Sequence, residues 1–145
     1  MKDAFGGSFV LRIMLVFFVV FICFMTASIT ISKTFRIKNN IINILERSDP
    51  NSYSSSTRDR IDSYLSKVSY NYGSNENVVN DCRGTSISGT DSVDLTDYGA
   101  CIVTHNSGDR VYYKVTAYVV VDFPLFHIGT VIPVSGETKI IYLDR

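Results

Sequence analysis

The sequence has no tryptophan, only two histidines and only three cysteines among 145 residues. His105 lies in a predicted turn and His127 follows a proline. Neither has a Ser, Cys or carboxylate at a spacing typical of a catalytic pair. The motifs G-x-S-x-G and H-E-x-x-H and a phosphate-binding loop are also missing. The sequence therefore predicts a protein that is not an enzyme, with no cofactor and no small-molecule substrate, in which both histidines are ordinary polar residues.

The three cysteines show no metal-binding pattern. Cys23 lies in an apolar run, where a thiol behaves as a small apolar side chain. Cys82 and Cys101 form no C-x-x-C pair and belong to no ligand set with zinc spacing. Two readings stay open for them: two free thiols, or a disulfide if this part of the chain is exported.

Three aspartates recur at every third position in "TDSVDLTD": Asp91, Asp94 and Asp97. A calcium-binding loop needs a denser set of oxygen ligands, with a glycine at the turn and a distal glutamate. We therefore expect a solvated loop here and no metal site.

Net charge is zero, but the two parts of the chain differ in sign. Residues 1–48 carry six Lys or Arg and two Asp or Glu, whereas residues 49–145 carry eight and twelve. A basic first part and a mildly acidic second part fit a membrane-anchored protein with a distal domain in water. The pattern argues against nucleic-acid binding, which needs a concentrated basic face on the folded domain.

One long apolar run dominates the first part of the chain. Residues 13–31, "IMLVFFVVFICFMTASITI", contain no charged side chain and would span roughly 28 Å as a helix, about the thickness of a bilayer core. The h-region of a signal peptide is shorter, at ~7–15 residues. A buried helix of a water-soluble protein would have a polar face, which this run lacks. We therefore predict a short tail over 1–12 and a transmembrane helix over 13–31, in contact with the lipid bilayer.

The residues after the apolar run predict that the helix continues. Residues 32–48 contain no Pro or Gly, and their apolar positions fall on one helical face; these are Ile37, Ile41, Ile42, Ile44 and Leu45. "SDPNS" then ends the helix. The expected stem is therefore apolar all round below and amphipathic above, with one stripe facing a head made of residues 49–145. An anchor followed by a separate juxtamembrane helix is the alternative.

The head is predicted to be α+β. "SSSTRDRIDSYLSKVSYNYGS" reads as a helix capped by Ser56 or Thr57 and closed by Gly73. A short strand over Val78–Cys82 and a long polar loop follow. Two strands joined at "HNSGD" come next, with alternating apolar positions from Val111 to Val119. Pro124 marks a bend, and one or two further strands surround a turn at Ser135–Gly136. The expected sheet is small and antiparallel.

A short basic tail with a glycine, then a long apolar helix that rises into an α+β head, resembles the type IV pilin-like superfamily. The resemblance implies cleavage by a membrane peptidase between Gly7 and Ser8, and assembly through packed stems with the heads outward. The fifth residue after that cut is usually a glutamate, whereas this chain has Arg12.

The last part of the chain is similar to the closing part of TadE-like proteins, which are minor pseudopilins. In "VTAYVVVDFPLFHIGTVIPVSGETKIIYL", residues 115–143, a β-run meets a proline, passes an apolar segment and ends in a polar strand. The resemblance implies a membrane subunit of a pilus, secretion or DNA-transfer assembly in a bacterial envelope, whose partners are other stem-bearing subunits.

The expected function is therefore that of a non-enzymatic, single-pass, pseudopilin-like subunit. A candidate stem-packing face comprises Val10, Phe17, Phe21 and Phe24, although these side chains would equally face lipid. Two alternatives remain: a tethered binding protein whose loop 83–99 contacts a ligand, and a secreted chain that starts near Ile29.

Orientation is predicted from charge and cysteine content. The nearest flanks hold Lys2 and Arg12 on one side and Lys33, Arg36 and Lys38 on the other, which slightly favours a cytoplasmic head. The two cysteines of the head, which would pair in an exported domain, favour the opposite, and so do basic residues that belong to a packed stem. We expect the head to be extracytoplasmic.

Overall fold

The computed structural model of the protein describes residues 2–48, 53–72, 74–84, 91–123 and 128–142. These ranges form α1 (Lys2–Glu46), α2 (Ser55–Lys67), α3 (Glu76–Gly84), β1 (Ser92–Leu95), β2 (Cys101–Ser107), β3 (Arg110–Phe123), β4 (Ile128–Glu137) and β5 (Ile141–Tyr142). The α+β prediction is confirmed: a long apolar helix precedes short helices and a small antiparallel sheet.

The first helix, α1, is continuous over 45 residues. No Pro or Gly occurs between Ser8 and Glu46 to interrupt it. Residues 2–12, expected as a short tail, belong to the same helix. In its upper part, Ile37, Ile41 and Leu45 are 8, 0 and 2% exposed, at the spacing of one helical face. The stripe predicted from the sequence therefore packs against the head.

The sheet has the strand order β1-β2-β3-β4, with β5 also paired to β3, and every pairing is antiparallel. The turn predicted at "HNSGD" is confirmed, since Ser107 pairs with Arg110 and leaves Gly108 and Asp109 as a two-residue loop. Gly108 has a φ of +67°, a backbone conformation that glycine adopts without steric cost. β3 is the central strand of the head.

Helices cover both faces of the sheet. On one face, Ile41 of α1 and Ile61 and Leu65 of α2 pack with Val115 and Ala117 of β3. On the other face, α3 contributes Val78 and Cys82 to a second cluster; its sheet members are Cys101, Val103 and Tyr118. The second face of β3 is buried too, since Thr116 and Tyr118 are 5 and 0% exposed.

The strand predicted over Val78–Cys82 is wrong, because this segment is helix α3. Val78 and Cys82 are four residues apart and both are buried, which fits one face of a helix. β1 lies within the segment that was predicted as a long polar loop.

The turn predicted at Ser135–Gly136 is also wrong, because both residues lie within β4 and pair with Thr116 and Val115. A Cβ atom at Gly136 would lie 3.0 Å from the Lys38 side chain of α1. This glycine therefore allows the stem to approach the sheet closely.

The limits of α2 differ from the prediction. Ser54, rather than Ser56 or Thr57, precedes the first turn, and the helix ends at Lys67. Ser69 follows with a φ of 55°, a left-handed conformation that commonly ends a helix. The predicted closing residue Gly73, and also Pro124 and His127, lie outside the described residues.

Candidate membrane stem and its junction with the head

The lower part of α1 exposes apolar side chains in every direction. Between Phe9 and Ile29 the exposed large apolar side chains are 39 to 69% accessible. The described residues contain one helix that is long and apolar enough to cross a membrane, with a mean hydropathy of 2.7 and no burial in its most apolar window. This helix is compatible with a single-pass membrane protein.

The four residues of the predicted stem-packing face are all exposed: Val10 at 63%, Phe17 at 67%, Phe21 at 49% and Phe24 at 69%. At ~100° per residue they lie within one sector of the helix surface. That sector is about 130° around α1 from the buried stripe of Ile37, Ile41 and Leu45. The aromatic sector therefore points away from the side of the stem that carries the sheet.

Three threonine side chains of the stem form hydrogen bonds within the helix. The hydroxyl groups of Thr26, Thr30 and Thr34 donate to the carbonyl oxygens of Ile22, Thr26 and Thr30, at 2.9, 2.9 and 3.1 Å. A hydroxyl group in a lipid core needs such an internal partner, because no water is present there.

The predicted processing site lies inside α1. Gly7 and Ser8 are both exposed and helical. An added Cβ atom at Gly7 would meet nothing within 4 Å. No described side chain packs against Gly7, so the Gly7–Ser8 peptide bond is accessible.

Hydrogen bonds join the top of the stem to the head. The Asn40 side-chain amide donates to the Tyr64 hydroxyl of α2 at 2.8 Å. The Lys139 backbone N–H donates to the Glu46 carboxylate at 3.1 Å. Together with buried Ile41, these contacts attach both α2 and the segment after β4 to the same helix that forms the apolar stem.

A second junction ties α2 to the sheet through Arg58. Its guanidinium donates to the Asp94 carboxylate at 3.0 Å, to the Asp97 carboxylate at 3.2 Å and to the Leu95 carbonyl at 3.2 Å. The Tyr53 hydroxyl donates to the other Asp94 oxygen at 2.7 Å. Burial, and then this bond to a carboxylate, raise the pKa of Tyr53 well above its ordinary value.

Asp62 belongs to the same group, 3.8 Å from the Arg58 Nε atom. Burial raises the pKa of the Asp62 carboxyl, and the neighbouring Asp97 adds to this effect against the opposing influence of Arg58. Among the described residues, no group of three or more His, Cys, Asp or Glu side chains is arranged to hold a metal ion.

Two of the predicted polar residues form a pair that sequence analysis missed. His105 Nδ1 lies 3.1 Å from the Asp91 carboxylate, whose side chain is 4% exposed. The imidazole ring also stacks on Tyr112, with the ring centroids 4.7 Å apart. The pairing of Ser92 with Thr104 places Asp91 beside His105, so the strand register is the signal that would have found the pair.

A disulfide joins Cys82 of α3 to Cys101 of β2, and Cys23 is the free cysteine. Both joined residues are buried, at 1 and 0% exposure. The bond attaches α3 to the sheet face opposite the stem.

A buried tyrosine, Tyr70, lies beside the sheet where β2 begins. The Tyr118 backbone N–H points toward the β2 side beyond Cys101, and it donates to the Tyr70 hydroxyl at 2.7 Å. Tyr70 is 4% exposed, and its hydroxyl lies 3.4 Å from the Gly99 carbonyl. The hydroxyl therefore satisfies a backbone donor that has no strand partner on that side.

We expect Tyr70→Phe to lower the free energy of unfolding of the head by about 1–3 kcal/mol, because the buried Tyr118 N–H loses its acceptor. Hydrogen exchange of the β3 amides in the detergent-solubilised full chain measures this loss. Tyr142→Phe, at a side chain that is 66% exposed, is the control. Equal protection in both variants would show that the Tyr70 hydroxyl is not needed there.

No family model, curated protein or solved structure matches this chain.

Proposed function

We propose that the protein is a non-enzymatic, single-pass membrane subunit whose stem packs laterally against other stems of an envelope assembly. The observation that carries this proposal is the dual role of α1. One uninterrupted helix of 45 residues exposes apolar side chains all round in its lower part and forms the core of the head in its upper part. A force or displacement at the stem is therefore transmitted directly to the sheet.

The arrangement of faces on α1 supports lateral packing. The sheet and α2 lie on the side of Ile37 and Ile41, whereas Phe17, Phe21 and Phe24 lie about 130° away. The stem of a second copy can therefore contact the aromatic sector of the first copy without clashing with the head of the first copy. Packing between large apolar side chains supplies van der Waals contact, which drives helix association in lipid.

The disulfide supports an extracytoplasmic head. Bonds such as Cys82–Cys101 form and persist in oxidising compartments and are rare in the cytosol. In this orientation the basic flank of the stem, formed by Lys33, Arg36 and Lys38, lies between the bilayer and the head.

We propose further that the assembly is of the pilin-like, TadE-like kind. This assignment is supported by the order of elements and by the accessible Gly7–Ser8 bond in α1. Arg12 replaces the usual glutamate, so the stems of this subunit would pair without a carboxylate at that position. A mature chain that begins at Ser8 would support this assignment, and a mature chain that keeps residues 1–7 would limit the likeness to the fold.

Cysteine cross-linking in proteoliposomes tests the stem contact. In a Cys23→Ala background, we expect oxidation to link Phe21→Cys copies readily and Val19→Cys copies poorly. Val19 is the matched control because it lies on the opposite sector, on the side of the sheet, with 39% exposure. Equal linking at the two positions, or none at either, would contradict lateral packing through the aromatic sector.

Replacement of residues 13–31 by polyleucine separates this function from that of a tethered binder. A polyleucine stem still anchors the head in the bilayer. With a single cysteine kept at position 21, we expect the polyleucine stem to lose the linking at that position, and with it any activity that depends on assembly. Activity that survives the replacement would indicate a binding protein for which the stem is only an anchor.

A further inference from the structure

A groove runs between the top of α1 and the outer side of α2. It has a volume of about 490 Å³. Its lining includes three exposed cations, Arg47, Arg60 and Lys67, around the apolar surfaces of Ile44 and Tyr64. Among the described residues of the lining, Asp59 is the one carboxylate. We call it the basic groove.

The other side of α2 has the opposite charge. Asp62, Asp94 and Asp97 surround Arg58, so that three carboxylates share one guanidinium. Asp97 is 77% exposed, and Asp94 belongs to β1, an edge strand of the sheet. We call this surface the acidic edge.

The two surfaces cannot neutralise each other within one copy. The buried residues of α2 are Thr57, Ile61 and Leu65, and they face the core. Arg60 and Lys67 lie on one flank of that buried stripe and Asp62 on the other, about 150° apart around the helix. The head therefore carries opposite charges on opposite sides, at the level of the same short helix.

We propose that neighbouring copies of this chain associate head to tail, with the acidic edge of one copy in the basic groove of the next. The balance of charge among the described residues favours a second copy, because an excess of two cations in the groove matches an excess of two carboxylates at the edge. The Asp59 carboxylate inside the groove disfavours the binding of a phosphate polymer, because the two would repel each other. Stems that stand parallel in one membrane bring both surfaces, each attached to α2, to a similar height.

The contact joins two different surfaces, so it repeats from copy to copy and generates a ring or an open row. It rests on the proposed function in one respect: the stems hold the copies side by side in the same bilayer. The heads would then determine the direction of the row, while the aromatic sector of the stem holds its members together.

Zero-length carbodiimide coupling in proteoliposomes tests the contact, using full chains mixed from normal and ¹⁵N-labelled protein. This reagent joins a lysine amine to a carboxylate only when the two touch. We expect mixed-isotope peptides that join Lys67 to Asp97, which prove a bond between copies. Their yield should fall with added salt, because the screening length shortens from ~10 Å at 0.1 M to ~3 Å at 1 M.

Charge-reversal variants in the same coupling experiment provide the decisive test. Arg60→Glu with Lys67→Glu makes the groove acidic, and Asp97→Lys places a cation at the most exposed carboxylate position of the edge. Each variant alone then sets like charges against each other at positions 67 and 97, and we expect a loss of intermolecular coupling on the order of tenfold or more. A mixture of the two variants restores opposite charges at every contact, so we expect coupling between positions 67 and 97 to return. Lys139→Glu, at an exposed lysine outside the groove, is the control.

Coupling that persists in either variant alone, or that fails to return in the mixture, would overturn the head-to-tail contact. Oxidative linking of Phe21→Cys, measured in the same samples, keeps the two proposals apart. Stem links without head coupling would refute the head contact and leave the proposed function standing. Head coupling without stem links would refute lateral stem packing and leave the head contact standing.

Discussion

Ile41→Ala is expected to lower the free energy of unfolding of the head by about 2–5 kcal/mol, the usual loss for a large apolar side chain removed from a packed core. Ile41 is 0% exposed and lies among residues of α1, α2 and β3. The substitution leaves the apolar run of residues 13–31 untouched. A large effect would therefore show that the stem helix is itself part of the core of the head.

The matched control is Ile29→Ala, which removes the same atoms from the same helix at a position that is 58% exposed. Urea unfolding in detergent micelles, followed by the near-UV circular dichroism of the tyrosines, measures both variants. We expect Ile29→Ala to have the same urea midpoint as the wild type. Equal midpoints for Ile41→Ala and the wild type would mean that the head folds independently of α1.

Alkaline pH is expected to destabilise the head steeply. Burial raises the pKa of Tyr70 far above its ordinary value, against the opposing effect of the bond from the Tyr118 N–H. Burial, and then the neighbouring Asp81 carboxylate, raise the pKa of Tyr118. Burial also raises the pKa of Tyr53 and Tyr113. Each of these phenols stays protonated in the folded head at a pH where the unfolded chain has lost the proton.

The direction of the change in stability with pH follows from the number of protons bound by the folded and unfolded chains. Below about pH 10, the ordinary tyrosine pKa, folded and unfolded chains hold these protons alike, and the full stability is present. Above that value the folded state binds more protons, so stability falls as pH rises, by about 1.4 kcal/mol per pH unit for each such tyrosine. Tyr70 and Tyr118 together should therefore give a fall of about 2.7 kcal/mol per unit.

Urea midpoints measured at intervals from pH 8 to about pH 11 give the slope, and absorbance at the phenolate band reports ionisation. We expect Tyr70→Phe to reduce the slope by the share of one phenol, whatever its effect on stability at pH 8. Tyr142→Phe controls for the loss of an exposed phenol. A flat profile up to pH 11 would contradict the burial of these hydroxyl groups.

The features that were predictable from the sequence have strong local periodicity. Ile37, Ile41 and Leu45 repeat at the helical spacing directly after an apolar run, and they form the buried stripe of α1. The alternation from Val111 to Val119, with a Ser-Gly-Asp turn before it, specified the β2–β3 hairpin and its buried face. In both cases, residues near in sequence determine the structure.

The wrong predictions concern segments whose structure depends on contacts with residues that are distant in the sequence. "VSGET" contains a common turn dipeptide, yet Gly136 lies in β4, where it pairs with Val115 and lies close to Lys38, about a hundred residues earlier. Val78 and Cys82 are too few apolar positions to distinguish a short helix from a strand, and the sheet face that α3 covers determines the outcome. The candidate site shows the same limit, because the contacts of Arg58 and of His105 depend on the placement of β1.

The intact mass of the mature protein, extracted from its native membrane without reductant, tests the central claim that α1 is a permanent stem. The account predicts a membrane-bound species that retains residues 13–48, with a mass lowered by two hydrogens for the Cys82–Cys101 bond. A soluble species that begins near Ile29 would contradict the account, because the apolar half of α1 would then be a removed leader.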